Sequence, residues 1–313
     1  MSATRSLSLS TRESLLVTPE EVSSWASGSY VPLDATWFMP ASDRKAYDEF
    51  EKKRLPNARF FDVDKVASQH PLGLPHMMPD SQMFANACES LGIDRGTRLV
   101  FYDTYGIFSA PRALFTFKAF GHEEAVVLNG GLPRWEVEGH PLETHAPSAP
   151  WRSTYKPLPT LDESVIRSYE QVIGNAQLSR DDKTGELVVD ARSQERYAGT
   201  VPEPRPGLPT GHIPNSLSLP FSTLLENHVD HSPTYTTMLP PEKLREVVET
   251  MLGAYANDVL SGKRSLVNSC GSGMTAAIVW LALQELGVKS ALYDESWTGY
   301  AMRKESPLAT GTD

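Results

Sequence analysis

Cys270 leads the run Cys270-Gly271-Ser272-Gly273-Met274-Thr275, and it is one of only two cysteines in the chain, with Cys88. The residues before it, Ser265 to Ser269, read as a short buried strand. Those after it, Thr275 to Leu286, read as a helix apolar on nearly every side. A thiol between a strand end and a helix start meets free backbone N–H groups and the positive end of a helix dipole, a setting that favours thiolate over thiol. Gly271 and Gly273 let the loop curl until successive N–H groups face one point, a nest for an anion. Such a loop can hold a nucleophilic sulfur, and it can hold a second sulfur attached to the first.

The elements that must position this loop occur twice. Each half has a strand ending in Asp, Val31–Asp34 and Leu187–Asp190, then a Pro-Asn pair, Pro56-Asn57 and Pro214-Asn215. A helix follows in each, Pro79 to Leu91 and Pro240 to Leu252. Next come a strand and a loop, Arg98 to Asp103 and Ser265 to Cys270, then a second helix and a last short strand, from Val126 and from Ala291. Strands alternating with helices predict an α/β fold of two tandem domains, each a parallel sheet with helices on both faces. The Pro-rich stretch from Thr144, with no periodicity, reads as a linker. The expected division is therefore 14–143, a linker over 144–162, and 163–308. At the position matching Cys270 the first half carries Asp103, so only the second half offers a nucleophile.

Composition narrows the partners. A net charge of −10 over 313 residues argues against a nucleic-acid surface, and no apolar run reaches membrane-spanning length. Two cysteines make no disulfide framework and suit a reducing compartment. No His/Cys cluster has metal-ligand spacing and no Walker motif is present, so neither a metal nor a cofactor is expected. A Cys-x5-Arg phosphatase loop is also missing, because Ala276 stands six residues after Cys270. The Ser-rich start, with Arg5 and Arg12 and no acid, fits either a frayed terminus or the remnant of a targeting segment.

Several segments carry a family likeness: Phe60-Phe-Asp-Val-Asp64, Leu74-Pro-His-Met-Met-Pro79, Asp190-Ala-Arg192, Arg196-Tyr-Ala-Gly-Thr200, Pro202-Glu-Pro-Arg205, Gly211-His-Ile-Pro214, the Cys270 loop and Tyr293-Asp-Glu-Ser-Trp297. Together they make the chain resemble the tandem-domain rhodaneses, and among those the 3-mercaptopyruvate sulfurtransferase group, from about residue 14 to 308. The resemblance implies an inactive first domain and a catalytic second one. It implies that Cys270 takes a sulfur as persulfide, that Arg196 and Arg205 clamp the substrate, and that Gly271, Gly273, Met274 and Thr275 bind it in the loop. It also implies a Ser–His–Asp arrangement of Ser272, His76 and Asp64. Relatives that prefer thiosulfate usually place Arg and Lys directly after the cysteine; here Gly271 and Ser272 bring no charge. That difference favours mercaptopyruvate, whose carboxylate suits a planar cation set back from the nucleophile.

The expected partners are a small sulfur donor and, as acceptor, a thiol, a reduced thioredoxin-like protein, cyanide or a sulfur-carrier protein. The expected setting is cytoplasmic, mitochondrial or both. Two alternatives stay open: a thiosulfate:cyanide sulfurtransferase, and a persulfide relay serving tRNA thiolation. Other conspicuous residues read as structural. Asp190 and Arg192 form an ion pair, His212 anchors a turn, Trp135, Trp280 and Trp297 fill core or domain contacts, and Cys88 is a small apolar filler in a helix. Asn215 stands where the family usually has Gly.

Overall fold

The computed structural model describes residues 14–311. The Ser-rich start, with its targeting reading, lies outside the described residues. Five strands build the first sheet: β1 (Leu16–Val17), β2 (Val31–Asp34), β3 (Arg59–Phe60), β4 (Leu99–Tyr102) and β5 (Ala125–Leu128). The second half adds β6 (Ile166–Arg167), β7 (Leu187–Asp190), β8 (Leu217–Ser218), a hairpin of β9 (Leu225–His228) and β10 (Tyr235–Met238), β11 (Leu266–Ser269) and β12 (Ala291–Tyr293).

The sheet orders are β1-β5-β4-β2-β3 and β6-β12-β11-β7-β8, all neighbours parallel, so the two halves share one topology. Register makes the repeat residue-exact at the centre. Asp34 lies beside Tyr102 and Asp190 beside Ser269, so the next residues, Asp103 and Cys270, occupy equivalent loop positions. Both central strands are buried throughout, as a parallel strand covered on two faces requires. The two Pro-Asn pairs mark one turn used twice: Asn57 and Asn215 both have positive φ, 59° and 64°. Asn tolerates that left-handed conformation better than other non-glycine residues, which explains how it stands in for Gly at 215.

The halves meet through the helices that follow the two loops. Ala110–Ala119 and Ala276–Glu285 are buried on almost every side, and Phe115 meets Trp280 edge-on across the contact with ring centroids 5.2 Å apart. A helix apolar all round must be covered all round, and here each covers the other. Truncating a buried aromatic in such a place generally costs about 3–5 kcal/mol. Trp135, Trp280 and Trp297 are all buried, as the sequence suggests. The β9–β10 hairpin, not anticipated from the sequence, docks on the first half: Thr236 N–H donates to the Tyr105 carbonyl at 3.1 Å, and Met238 N–H to Asn129 Oδ1 at 2.9 Å.

Candidate active site

Cys270 leaves β11 directly into its loop and is 1% exposed. The Gly273 N–H points at its Sγ, 3.1 Å away, and the Ser296 hydroxyl stands 3.9 Å from the same sulfur. Among the described residues, the N–H groups of Ser272, Met274 and Thr275 have no backbone acceptor, so the nest keeps donors for an anion. Gly273 has φ of 83°, and a Cβ there would lie 2.9 Å from Arg112 Nη1 and from the Asp294 carbonyl oxygen. Only glycine fits that spot. The start of the helix Ser296–Met302 braces the loop from behind. Trp297 N–H donates to the Cys270 carbonyl at 2.9 Å, Thr298 N–H to the Gly271 carbonyl at 3.0 Å, and Ser296 Oγ accepts the Cys270 N–H at 3.1 Å. Ser296 does this at φ of 50°, a strained backbone for a non-glycine residue.

The first half supplies the facing wall. His76 Nε2 lies 2.9 Å from Ser272 Oγ, and its Nδ1 lies 2.9 Å from Asp64 Oδ1. An ionised carboxylate can only accept, so Nδ1 carries the ring proton and Nε2 accepts from the serine hydroxyl. Trp37 Nε1–H donates to Asp64 Oδ2 at 2.8 Å and fixes the carboxylate's other oxygen. Burial pushes the His76 pKa down; the Asp64 bond opposes this, while Arg112 and Arg205 add to it, and the net shift is downward. Desolvation raises the Asp64 pKa, but the His76 bond and charge outweigh it and leave it lowered. The imidazole is thus held neutral at neutral pH, able to take a proton. A surface groove bordered by Asp64, His70, Gly73 and His76 gives this pair access to solvent.

Arg196 and Arg205 converge on the outer face of Gly271. A Cβ at that glycine would lie 3.2 Å from Arg196 Nη2 and 4.0 Å from Arg205 Nη1. They therefore stand beside the residue that follows the nucleophile. They are held differently. Arg196 donates from Nε and Nη2 to Glu203, at 3.1 and 2.5 Å. Glu203 also accepts from Arg192 Nη1 at 2.8 Å, and Arg192 grips Asp190 and the Gly211 carbonyl while lying over the Trp297 ring. This is the Asp190–Arg192 ion pair read from the sequence, extended to the clamp. Arg205 makes no such ion pair among the described residues. It donates to Thr298 Oγ1 at 3.1 Å, and burial lowers its pKa while the nearby Cys270 sulfur raises it. Met274 is buried, Thr275 stands at the N-cap position of the helix Ala276–Glu285 without a side-chain hydrogen bond to it, and His212 stacks on Tyr197.

Sequence reasoning passed over Glu203, Trp37, Ser296, Arg112 and Asp294. Glu203, Asp294 and Ser296 lie inside quoted motifs; Glu203 stands two residues before Arg205, whereas Asp294 has no arginine in its motif. Arg112 gave no signal beyond being a charge on an apolar helix.

In the first half the equivalent loop is closed on itself. Asp103 Oδ1 accepts the N–H groups of Tyr105 and Gly106, and Oδ2 those of Phe108, Ser109 and Ala110, at 2.8 to 3.0 Å. A side-chain anion fills the nest that in the second half surrounds a sulfur. Among the described residues no group of three or more His, Cys, Asp or Glu is arranged to hold a metal, and no helix is long and apolar enough to cross a membrane.

Residues 35–138 and 175–303 each match the rhodanese-like domain. A probable 3-mercaptopyruvate sulfurtransferase of Schizosaccharomyces pombe is 38% identical over 286 residues, covering 90% of this chain and 90% of its own. A thiosulfate sulfurtransferase of Cricetulus griseus is 37% identical over 282 residues, covering 87% and 86%. The crystal structure of the Tum1 protein from Saccharomyces cerevisiae superposes with a TM-score of 0.82 at 31% identity, covering 95% of this chain and 98% of that one. Relatives with different sulfur donors in their names are equally similar, so overall identity does not choose the donor.

Proposed function

The chain belongs to the rhodanese family, and from that premise we propose that it is a sulfurtransferase whose preferred donor is 3-mercaptopyruvate. The observation that carries this reading is the position of the arginine pair. Arg196 and Arg205 occupy the few ångströms outside Gly271 where a loop cation of the thiosulfate type would project. The two designs compete for the same space, and this chain has the one suited to a carboxylate.

On this reading the Cys270 thiolate attacks the substrate sulfur. The sulfur–carbon bond breaks and its electron pair goes to carbon as the enolate of pyruvate. The proton of the substrate thiol ends on that carbon, releasing pyruvate and leaving a persulfide anion on Cys270. Ser272 stands ready to take that proton as it passes its own to His76 Nε2, and to return one to the enolate; no net proton is gained or lost. The Gly273 N–H and Arg205 stabilise the anionic sulfur until a thiol, a reduced thioredoxin-like protein, cyanide or a sulfur-carrier protein accepts it. Residues 163–308 carry the nucleophile and the arginine clamp, 14–143 supply the facing wall with His76 and Asp64, and 144–162 connect them. Cys88 and Cys270 are both free thiols, which suits a reducing cytoplasmic or mitochondrial setting.

The test is donor ranking. With cyanide or a small thiol as acceptor, kcat/KM for 3-mercaptopyruvate should far exceed that for thiosulfate; equality, or the reverse order, defeats the assignment. The clamp offers a second check. Among the described residues Arg205 makes no ion pair like that of Arg196 with Glu203, so more of its charge is available to substrate. Arg205→Met should raise KM for 3-mercaptopyruvate about 10- to 100-fold with a smaller change in kcat, as loss of a charge-assisted contact implies. Arg196→Met should raise it less. Steady-state kinetics of both variants checks the order.

A further inference from the structure

Arg112 belongs to the first half, in the helix Ala110–Ala119, but its guanidinium ends among groups of both halves. It is 2% exposed. Its Nη2 donates to the His76 carbonyl oxygen and to Asp294 Oδ1, each at 2.6 Å, and its Nη1 reaches the Gly273 carbonyl at 3.4 Å. Asp294, at the end of β12, uses its other oxygen to accept the Met78 N–H at 2.8 Å. One ion pair therefore takes hold of the backbone at His76, at Met78 and beside Ser272. Between those grips His76 sits at φ of 42°, a positive-φ backbone that costs a non-glycine residue some strain.

A buried ion pair is poor evidence of stability, since two apolar residues would fill this contact as well or better. What an apolar pair cannot do is fix a carbonyl and a carboxylate in one plane, which is the use of a guanidinium fork. The hydrogen bond at stake, His76 to Ser272, joins residues 196 positions apart on opposite sides of the domain contact. We propose that Arg112, braced by Asp294, is a positioning residue that sets His76 at bonding height over Ser272. It touches no substrate. The proposal rests on the donor reading above, because only a donor that leaves as an enolate needs that bond.

Arg112→Lys keeps a charge and removes the fork. It should lower kcat for 3-mercaptopyruvate about 30- to 100-fold, the loss expected from a misplacement of order 1 Å, with KM within about threefold of wild type. The thiosulfate reaction should change by less than about threefold, since sulfite departs without a proton. Arg112→Met also removes the charge. The charged groups acting on His76 are Asp64, Arg205 and Arg112, with Asp294 behind the last, so the imidazole should titrate at higher pH in this variant when its ring signals are followed by NMR. A purely structural role would lower the melting temperature and slow both donors together. Should a single variant fail to fold, Arg112→Met with Asp294→Asn removes both buried charges and should show the same donor-selective loss. A wild-type kcat for 3-mercaptopyruvate in any folded variant, or an equal fall for both donors, overturns the proposal. Failure of the underlying reading looks different: the wild-type protein would itself prefer thiosulfate.

Discussion

Cys270→Ser should abolish sulfur transfer from either donor, a fall of at least about 10⁴-fold in kcat, because on the proposed mechanism the reaction is split around a covalent intermediate on this sulfur. The companion change Cys88→Ser should leave turnover nearly intact. Cys88 is fully buried in the helix Ser81–Ser90, and burial pushes its thiol pKa well up. Cys270 is as little exposed overall, but its sulfur faces the Gly273 N–H and lies close enough to Arg205 to feel its charge. The two cysteines thus differ in electrostatics more than in access. Intact-protein mass spectrometry after donor without acceptor should find one added sulfur, roughly 32 Da, as an isolable half-reaction product requires. Peptide mapping should put it on Cys270. Sulfur on Cys88, or on neither residue with any donor, would reject the persulfide mechanism.

Ser272→Ala should cut kcat for 3-mercaptopyruvate about 10²- to 10³-fold, within the range of general acid–base effects, and should change thiosulfate turnover little. The serine hydroxyl lies 2.9 Å from His76 Nε2, and on the proposed mechanism only the enolate-forming reaction needs a proton transfer between them. His76→Asn should reproduce the selectivity. The pH profile carries the same signature with a defined sign. The His76 pKa is lowered in the folded protein, so the neutral, proton-accepting ring persists below the ordinary imidazole value of about 6.5. As pH falls through that lowered value the ring becomes charged, Nε2 can no longer accept, and the 3-mercaptopyruvate rate declines. This acid limb should vanish in Ser272→Ala and be weak or absent with thiosulfate. If Ser272→Ala slows both donors alike, the serine shapes the loop and the proton relay is wrong.

The fold was legible because its signals are contiguous. A strand ending in Asp, a Pro-Asn turn and an all-apolar helix each lie within a few residues, and their recurrence marks the duplication. The Cys270 loop was legible for the same reason. His76 and Asp64 could be placed only through motifs, since the fold, and not local spacing, brings them to Ser272. Arg112 was out of reach, because the carbonyl it holds belongs to another loop and its carboxylate partner lies 182 residues further on. The β9–β10 hairpin was missed because Leu225–His228 and Tyr235–Met238 are largely polar strands with no apolar run to mark them. The arginine pair is legible only through its motif, since sequence distance conceals that the segment carrying Arg205 folds back over Gly271.

Asp103 gives the duplication a further meaning. Its carboxylate is a tenant that can never leave, so the first half has no vacancy for a travelling anion. On the proposed mechanism the protein then carries one sulfur per chain, however much donor is supplied. The resident charge also holds the start of the helix Ala110–Ala119 in one state through every cycle, and Arg112 projects from that first turn. On the same mechanism the second half must accommodate an anion that comes and goes. The first half, permanently occupied, works as the anvil against which those changes are made.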